Sequence, residues 1–265
     1  MSIHPTAIVD SNAKIGDVEI GPYAVVGSGV TLEDGVRLGP HAVVYGETIV
    51  GRGSHIHAHA VIGGDPQDLK YEGGATRLEI GADNVFREFV TISRGTELGG
   101  SLTRIGDNNL FMACAHVGHD ARIGNNCVFA NSVALAGHVI VQDNAVLGGM
   151  AGVHQYSRIG RYAMLGAGAM AAQDVPPFSI AQGDRARLFG LNIIGLRRGG
   201  FEGETISTLR SAYRELFSKG APLRIALERV REGHGATTEI KELIDFIEGS
   251  QRGLCRAAGP EVPTD

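Results

Sequence analysis

Ile105-Gly106-Asp107-Asn108-Asn109-Leu110-Phe111-Met112-Ala113-Cys114-Ala115-His116-Val117-Gly118-His119-Asp120-Ala121-Arg122-Ile123-Gly124 carries an apolar residue at every sixth position. The clock keeps time beyond this stretch, through Phe129, Leu135, Val141, Leu147, Val153, Ile159 and Leu165. An earlier run starts at Ile20 and ticks at Val26, Leu32, Leu38, Val44, Val50, Ile56 and Ile62, with Ile80, Phe86 and Ile92 between the two. Four places after most ticks stands a small or β-branched residue, such as Ala24, Ala42, Ala60, Ala121, Val133 or Ala151. A period of six is neither the alternation of a half-buried strand nor the 3.6 of a helix. It fits a short strand followed by a corner. Three such sides close a triangular coil of about 18 residues, and coils stack at the strand spacing of about 4.8 Å. The reading is an all-β left-handed parallel β-helix of hexapeptide repeats. Its ticks fill the prism, and its small residues occupy the cramped inner corners.

Composition agrees. Glycine supplies 39 of 265 residues, about twice ordinary usage, and tryptophan is absent. Glycine follows many ticks, as at Gly21, Gly39, Gly118, Gly124 and Gly148. There it is expected to serve corners by positive φ or close backbone approach. A helical bundle would not carry this much glycine, and a disordered chain would be less apolar than 43 %. The net charge of −5 does not favour nucleic acid. Three cysteines, Cys114, Cys127 and Cys255, cannot all pair, and read as reduced thiols of a cytoplasmic protein. Cys114 and Cys127 are expected on the core clock. Neither a secretory signal nor a membrane span is evident.

The clock is interrupted at residues 63–77 and 94–104, which predicts two loops extruded from corners. It fades at Asp174-Val175-Pro176-Pro177. From about residue 189 the pattern turns helical, with helices expected over 204–219, from Pro222 through 223–232, and over 238–249. The organisation expected is a β-helix domain over 1–188, a small α-helical C-terminal domain over 189–258 and a loose tail over 259–265. Residues 1–184 carry 11 basic and 18 acidic side chains, −7, whereas residues 185–256 carry 13 and 9, +4. A basic cap thus sits on an acidic prism.

The coil has little need of polar groups, so its histidines are informative. His119 and His138 are one coil plus one residue apart, and Gln155 is two coils in phase above His119. With His116 and Asp120 they read as a polar stripe up one edge. Neutral imidazole can take a proton from an alcohol or amine near pH 7, and a neighbouring carboxylate can orient it. Adjacent strand residues point to opposite faces, so His119 and Asp120 cooperate only if a corner lies between them. A backbone N–H in the Ala136-Gly137-His138 turn could hold an oxyanion. No Gly-x-Ser-x-Gly elbow is present, which favours direct transfer over an acyl-enzyme. His55, His57 and His59 are expected on the outer face, and Asp68 and Lys70 could simply close their own loop.

The ordered set Gln67-Asp68-Leu69-Lys70-Tyr71, Ser93-Arg94-Gly95-Thr96, His116-Val117-Gly118-His119-Asp120, Ala136-Gly137-His138, Gly152-Val153-His154-Gln155, Gln173-Asp174-Val175-Pro176-Pro177 and Gly195-Leu196-Arg197-Arg198 resembles the acyl-carrier-protein–UDP-N-acetylglucosamine O-acyltransferases of lipid A biosynthesis. The resemblance spans nearly the whole chain. It implies a cytoplasmic homotrimer without a cofactor or metal. Such an enzyme moves an (R)-3-hydroxyacyl chain from acyl carrier protein to the 3-hydroxyl of UDP-N-acetylglucosamine, in clefts between prisms. His119 matches the general base, Asp120 its partner, and His138 and Gly137 the thioester side, with the Gly137 N–H as oxyanion donor. His116, Asp68 and Lys70 match substrate contacts. His154 and Gln155 match positions near the nucleotide, and Asn192 and Arg198 match the C-terminal nucleotide segment. Ala167 matches the side chain that limits acyl length, and an intermediate length is expected. The basic cap would steer the acidic carrier protein. Ser93, Ile194 and Gly199 depart from the family's usual histidine, acidic residue and arginine.

Three rivals share the architecture. The sister enzyme that acylates a sugar amine usually has an extra N-terminal domain, whereas the hexads here begin near Ile3. A coenzyme-A-dependent acetyltransferase would ignore acyl carrier protein. A trimeric β-helix metalloenzyme of carbonic anhydrase type would need three histidines around a metal. A pure scaffold would have no use for the polar stripe.

Overall fold

The structure, a computed structural model, describes residues 1–217, 221–234 and 237–258. Lys219 at the end of the first expected helix, and the expected tail 259–265, lie outside the described residues. Among those residues, short parallel strands stack into three sheets of eleven, nine and eight strands, the sides of a prism. The first sheet climbs through Glu19–Ile20, His55–Ile56, Leu110–Phe111 and Met164–Leu165. The second climbs through Thr91–Ser93, His116–Val117, Ala134–Leu135, Gly152–Val153 and Met170–Ala171. The third climbs through Arg77–Ile80, Leu102–Ile105, Arg122–Ile123 and Arg158–Ile159.

Each tick is inside. The aliphatics from Ile105 to Leu165 and the small residues four places on are all buried. Phe86, Phe111 and Phe129 stack ring on ring at 4.9 and 4.5 Å. They fill three successive coils with the largest side chains the prism admits. At one inner corner the polar residues Asn84 and Asn109 replace the small one. Asn84 Oδ1 accepts from Asn109 N at 3.0 Å, and Asn109 Oδ1 from Cys127 N at 2.8 Å. Their amides donate to Gly106 and Gly124 carbonyls, so each buried amide is satisfied. Cys127 continues that column, and burial pushes its thiol up to about 12.

The corners correct two expectations. Glycine after a tick mostly provides close approach, not positive φ. A Cβ on Gly118 would lie 2.7 Å from the Ala136 carbonyl carbon, and one on Gly148 2.6 Å from Ala167 N. Positive φ falls two residues later and is mostly carried by side chains, including Asp120, Asn126, Ser132, His138, Asn144 and Met150. Left-handed backbone costs a non-glycine residue about 1–2 kcal/mol. Here each such residue donates its N–H to the coil below, as His138 N does to His119 O at 2.9 Å. Cys114 occupies the same position, at φ 63°, and is exposed. It is therefore off the core clock, unlike Cys127.

Both insertions leave the same edge of the prism, between the second sheet and the third. Arg94, at the start of the second, donates to the Gly63 carbonyl, the Asp65 carboxylate and Tyr71 Oη in the first. The loops therefore brace one another. Above the coils, Ser179–Gln182 and Arg187–Leu191 form an antiparallel hairpin that ends the first sheet. Four helices follow among the described residues: α1 (Ile193–Arg198), α2 (Gly203–Phe217), α3 (Leu223–His234) and α4 (Thr238–Glu248). The last three fall where the apolar spacing predicts. The six residues of α1 are too few to show a period. Arg161 holds α4 to the prism through Glu242 at 2.7–2.9 Å, and Arg158 lies over the Phe246 ring at 4.2 Å.

Candidate active site

A corner does lie between His119 and Asp120. Asp120 has φ 58°, which turns its carboxylate inward while His119 stays at the rim. His119 Nδ1 meets Asp120 Oδ2 at 2.8 Å. A carboxylate can only accept, so the ring proton is on Nδ1 and Nε2 carries a free lone pair. The second insertion completes the carboxylate's shell. Thr96 N donates to Asp120 Oδ1 at 3.0 Å and Thr96 Oγ1 to Oδ2 at 2.6 Å, while Asp120 N donates to Thr103 Oγ1 at 2.8 Å. Three donors thus hold this buried carboxylate in place, Thr96 N, Thr96 Oγ1 and the His119 ring.

The imidazole ring lies directly over Gly137, one coil up. A Cβ there would sit 2.5 Å from His119 Nε2. Glycine is thus obligatory at this place, and the Gly137 N–H has no acceptor among the described residues. Gly99 is equally constrained, because a Cβ on it would collide with the Asp120 carboxylate. His138 stands edge-on to His119 at 5.1 Å and stacks on Tyr156 at 4.3 Å. Its Nε2 is 3.7 Å from Asp120 Oδ2. Burial lowers its pKa despite that carboxylate. Burial, aided by His119, likewise lowers that of His116, whose Nδ1 bonds Thr91 Oγ1 at 2.7 Å. Both rings are therefore kept neutral beside the base.

From the first insertion Asp68 brings its carboxylate to 4.0 Å from His119 Nε2. Lys70 is exposed, and its backbone N–H bonds Asp68 Oδ1 at 3.0 Å, so the short loop does in part close on itself. A cavity of about 620 Å³ opens over the second sheet, lined by His116, His119, Gly137, His154 and Gln155. Ser93 and Gln67 also line it, and so do Asp184 and Arg185 at its far end. Its floor lies close to the backbone because the outward residues stacked above His116 are the small Ala134 and Gly152.

Four expected residues neither line this cavity nor touch the dyad within one chain: Lys70, on its exposed loop, and Asn192, Arg198 and Ala167. Asn192 is buried, caps α1 by accepting from Gly195 N at 3.0 Å, and donates to the Tyr162 carbonyl at 2.9 Å. Arg198 is exposed in the last turn of α1. Ala167 is exposed at another corner, outside the lining. Conversely, Thr96, Thr103 and Gly99 hold the dyad without an expectation from sequence. Their signal was the placement of the second insertion, one coil below His119. The donor atoms of His119, Asp120 and His138 lie within 4.8 Å of one another, a spacing compatible with a metal ion. However, Asp120 Oδ2 already accepts from both Thr96 and His119, so its donor capacity is committed.

The geometry has a counterpart in known proteins. Residues 174–255 match the family described as UDP N-acetylglucosamine O-acyltransferase, domain 2. Residues 29–64 and 102–137 match the bacterial transferase hexapeptide family. Proteins named acyl-[acyl-carrier-protein]–UDP-N-acetylglucosamine O-acyltransferase are similar over almost their full length. That of Paraburkholderia phymatum is 47 % identical over 96 % of this chain and 99 % of its own. That of Alkalilimnicola ehrlichii is 51 % identical with the same coverage. Among solved structures, LpxA from Acinetobacter baumannii superposes with a TM-score of 0.93 at 41 % identity, covering 96 % of this chain and 99 % of that one. The Arabidopsis UDP-N-acetylglucosamine acyltransferase gives 0.84 at 36 % identity, over 96 % and 100 %.

Two outcomes follow from the site. Thr96→Val removes a charge-assisted hydrogen bond worth about 1.5–3 kcal/mol to Asp120. We expect kcat to fall about tenfold, with the fold retained by circular dichroism. The lowered pKa values of His116 and His138 set a sign for stability. Below about pH 6.5 the unfolded chain binds protons on these rings before the folded one does, so stability declines as pH falls. His116→Gln should make that decline shallower in urea titrations between pH 7.5 and 5.5.

Proposed function

The chain belongs to the acyl-acyl-carrier-protein–UDP-N-acetylglucosamine O-acyltransferase family and is an acyltransferase of lipid A biosynthesis; from that premise we propose how its own residues carry the reaction. The acceptor is the glucosamine 3-hydroxyl of UDP-N-acetylglucosamine, and the donor is a 3-hydroxyacyl thioester on acyl carrier protein. His119 Nε2 takes the hydroxyl proton as the oxygen attacks the thioester carbonyl. Asp120 stabilises the imidazolium through Nδ1–H. The Gly137 N–H meets the oxyanion. Collapse breaks the C–S bond, and the imidazolium returns its proton to the leaving thiolate. The balance needs no resident cofactor or metal.

The observation that carries this reading is the free His119 Nε2. It is backed by a buried, three-donor carboxylate and lies directly over the Gly137 backbone. Asp68, 4.0 Å from that nitrogen, is placed to accept from a sugar hydroxyl.

We further propose a cytoplasmic homotrimer. Outward residues of the first sheet are apolar in its upper coils, as at Val85, Leu110, Val128 and Val146, and so are those of the second at Val25, Val43 and Val61. The third carries Lys14, Glu79, Arg104, Arg122 and Arg158. Three-fold packing covers two apolar faces of each prism and leaves the charged one to water. It also lets the exposed Arg198 and Ala167 reach a cleft through a neighbouring prism. A mass in solution of three chains is expected by light scattering, and a monomer would overturn it.

His119→Ala should cost about 10²–10⁴ in kcat. The assay uses 3-hydroxyacyl carrier protein with UDP-N-acetylglucosamine, with products read by mass spectrometry. Retention of near wild-type rate would refute the assignment of the base. The same assay run with a 3-amino sugar nucleotide separates ester from amide formation.

A further inference from the structure

His154 lines the cavity, yet nothing in the dyad controls it. Its Nδ1 has two neighbours. One is Arg252 Nη2 at 3.1 Å, and the other is the Gln155 carbonyl at 3.2 Å. A guanidinium only donates and a carbonyl only accepts, so a neutral imidazole cannot satisfy both. With Arg252, Nδ1 accepts and the ring proton sits on Nε2. With Gln155, Nδ1 donates and Nε2 is bare.

Arg252 is held in place. The same Nη2 reaches the Ala172 carbonyl at 3.2 Å, another wall of the cavity. On one side of it, Ser250 Oγ donates to Asp174 Oδ2 at 2.8 Å. On the other, the Gly253 carbonyl accepts from Asp174 N and Cys255 N donates to Asp174 O, both at 2.9 Å. Asp174 is fully buried and also takes Arg158 Nε at 2.8 Å. The segment after α4 is thus strapped to the last coil and delivers one guanidinium to the back of the pocket wall.

We propose that Arg252 is a positioning residue that selects the Nε2–H form of His154, so that the wall presents a hydrogen-bond donor to an acceptor oxygen of the sugar nucleotide. The tautomer follows from contacts within the chain, whereas the identity of the oxygen's owner rests on the function proposed above.

The test is a ¹⁵N imidazole correlation spectrum of the full-length protein and of Arg252→Met and Arg252→Lys, each assayed with UDP-N-acetylglucosamine. The wild type should show His154 with a bare Nδ1. In Arg252→Met, which has no donor, the proton should move to Nδ1, and KM for the sugar nucleotide should rise roughly threefold to tenfold at nearly constant kcat. Arg252→Lys, still only a donor, should retain the wild-type tautomer and most of the affinity. An unchanged tautomer in Arg252→Met overturns the proposal. A changed tautomer with an unchanged KM overturns the role in binding. The spectrum needs no turnover, so an error in the assigned substrate would leave its outcome intact.

Discussion

The backbone hydrogen bonds between corners fix everything above them. Most left-handed corner residues donate to the carbonyl one coil below, as Asn144 N does to Asn125 O and His138 N to His119 O, at 2.8 and 2.9 Å. Corners therefore stack with almost no slack, and a glycine such as Gly118 or Gly148 is needed wherever one backbone lies on the next. In an ordinary sheet a side chain finds its neighbours through packing. Here its column is set by its residue number, and packing only fills what the columns leave.

Chemistry enters through that same corner. Strand alternation alone would send His119 and Asp120 to opposite faces. The positive φ at Asp120 folds the carboxylate back under the imidazole and into a buried shell of threonine donors. The energy of a left-handed aspartate is small beside the cost of burying a carboxylate without partners. It is the second insertion, with Thr96 and Gly99, that supplies the partners and the space. The catalytic pair is thus a property of two coils and a loop together. Removing the loop would take both Thr96 donors from this buried carboxylate and leave it the imidazole alone.

How much of this was legible in sequence follows from what is periodic. The ticks, the small inner corners, the interruptions and the column relation between His119, His138 and Gln155 are spacings, and the structure places them as spacings require. The corner φ values were not legible, because asparagine, histidine, methionine and cysteine share that position, and glycine, the expected marker, lies mostly elsewhere. Cys114 was misplaced for this reason. Thr96 was invisible because a loop has no clock. Asn192 shows a different limit. Its motif position points to the nucleotide, whereas both ends of its amide are used by the α1 cap and the Tyr162 carbonyl. Its backbone is engaged as well, its N–H by the Phe178 carbonyl and its carbonyl by Leu196 N, so the motif can meet a ligand only through its neighbours on α1.

The helical cap is tied to the prism mainly through arginines, and this matters for the site. Arg158 and Arg161 each join a coil to α4 by an ion pair or carbonyl contact together with an aromatic face. Such contacts are strong where the planar guanidinium is sandwiched and partly desolvated. They fix the start of the strap that follows α4, and Asp174 fixes its middle. The base and its carboxylate are consequently set by the coils below, and the opposite wall of the cavity is set by the segment that follows α4. Two structurally independent parts thus converge on one pocket. Substitutions in the strap can therefore alter recognition without disturbing the base.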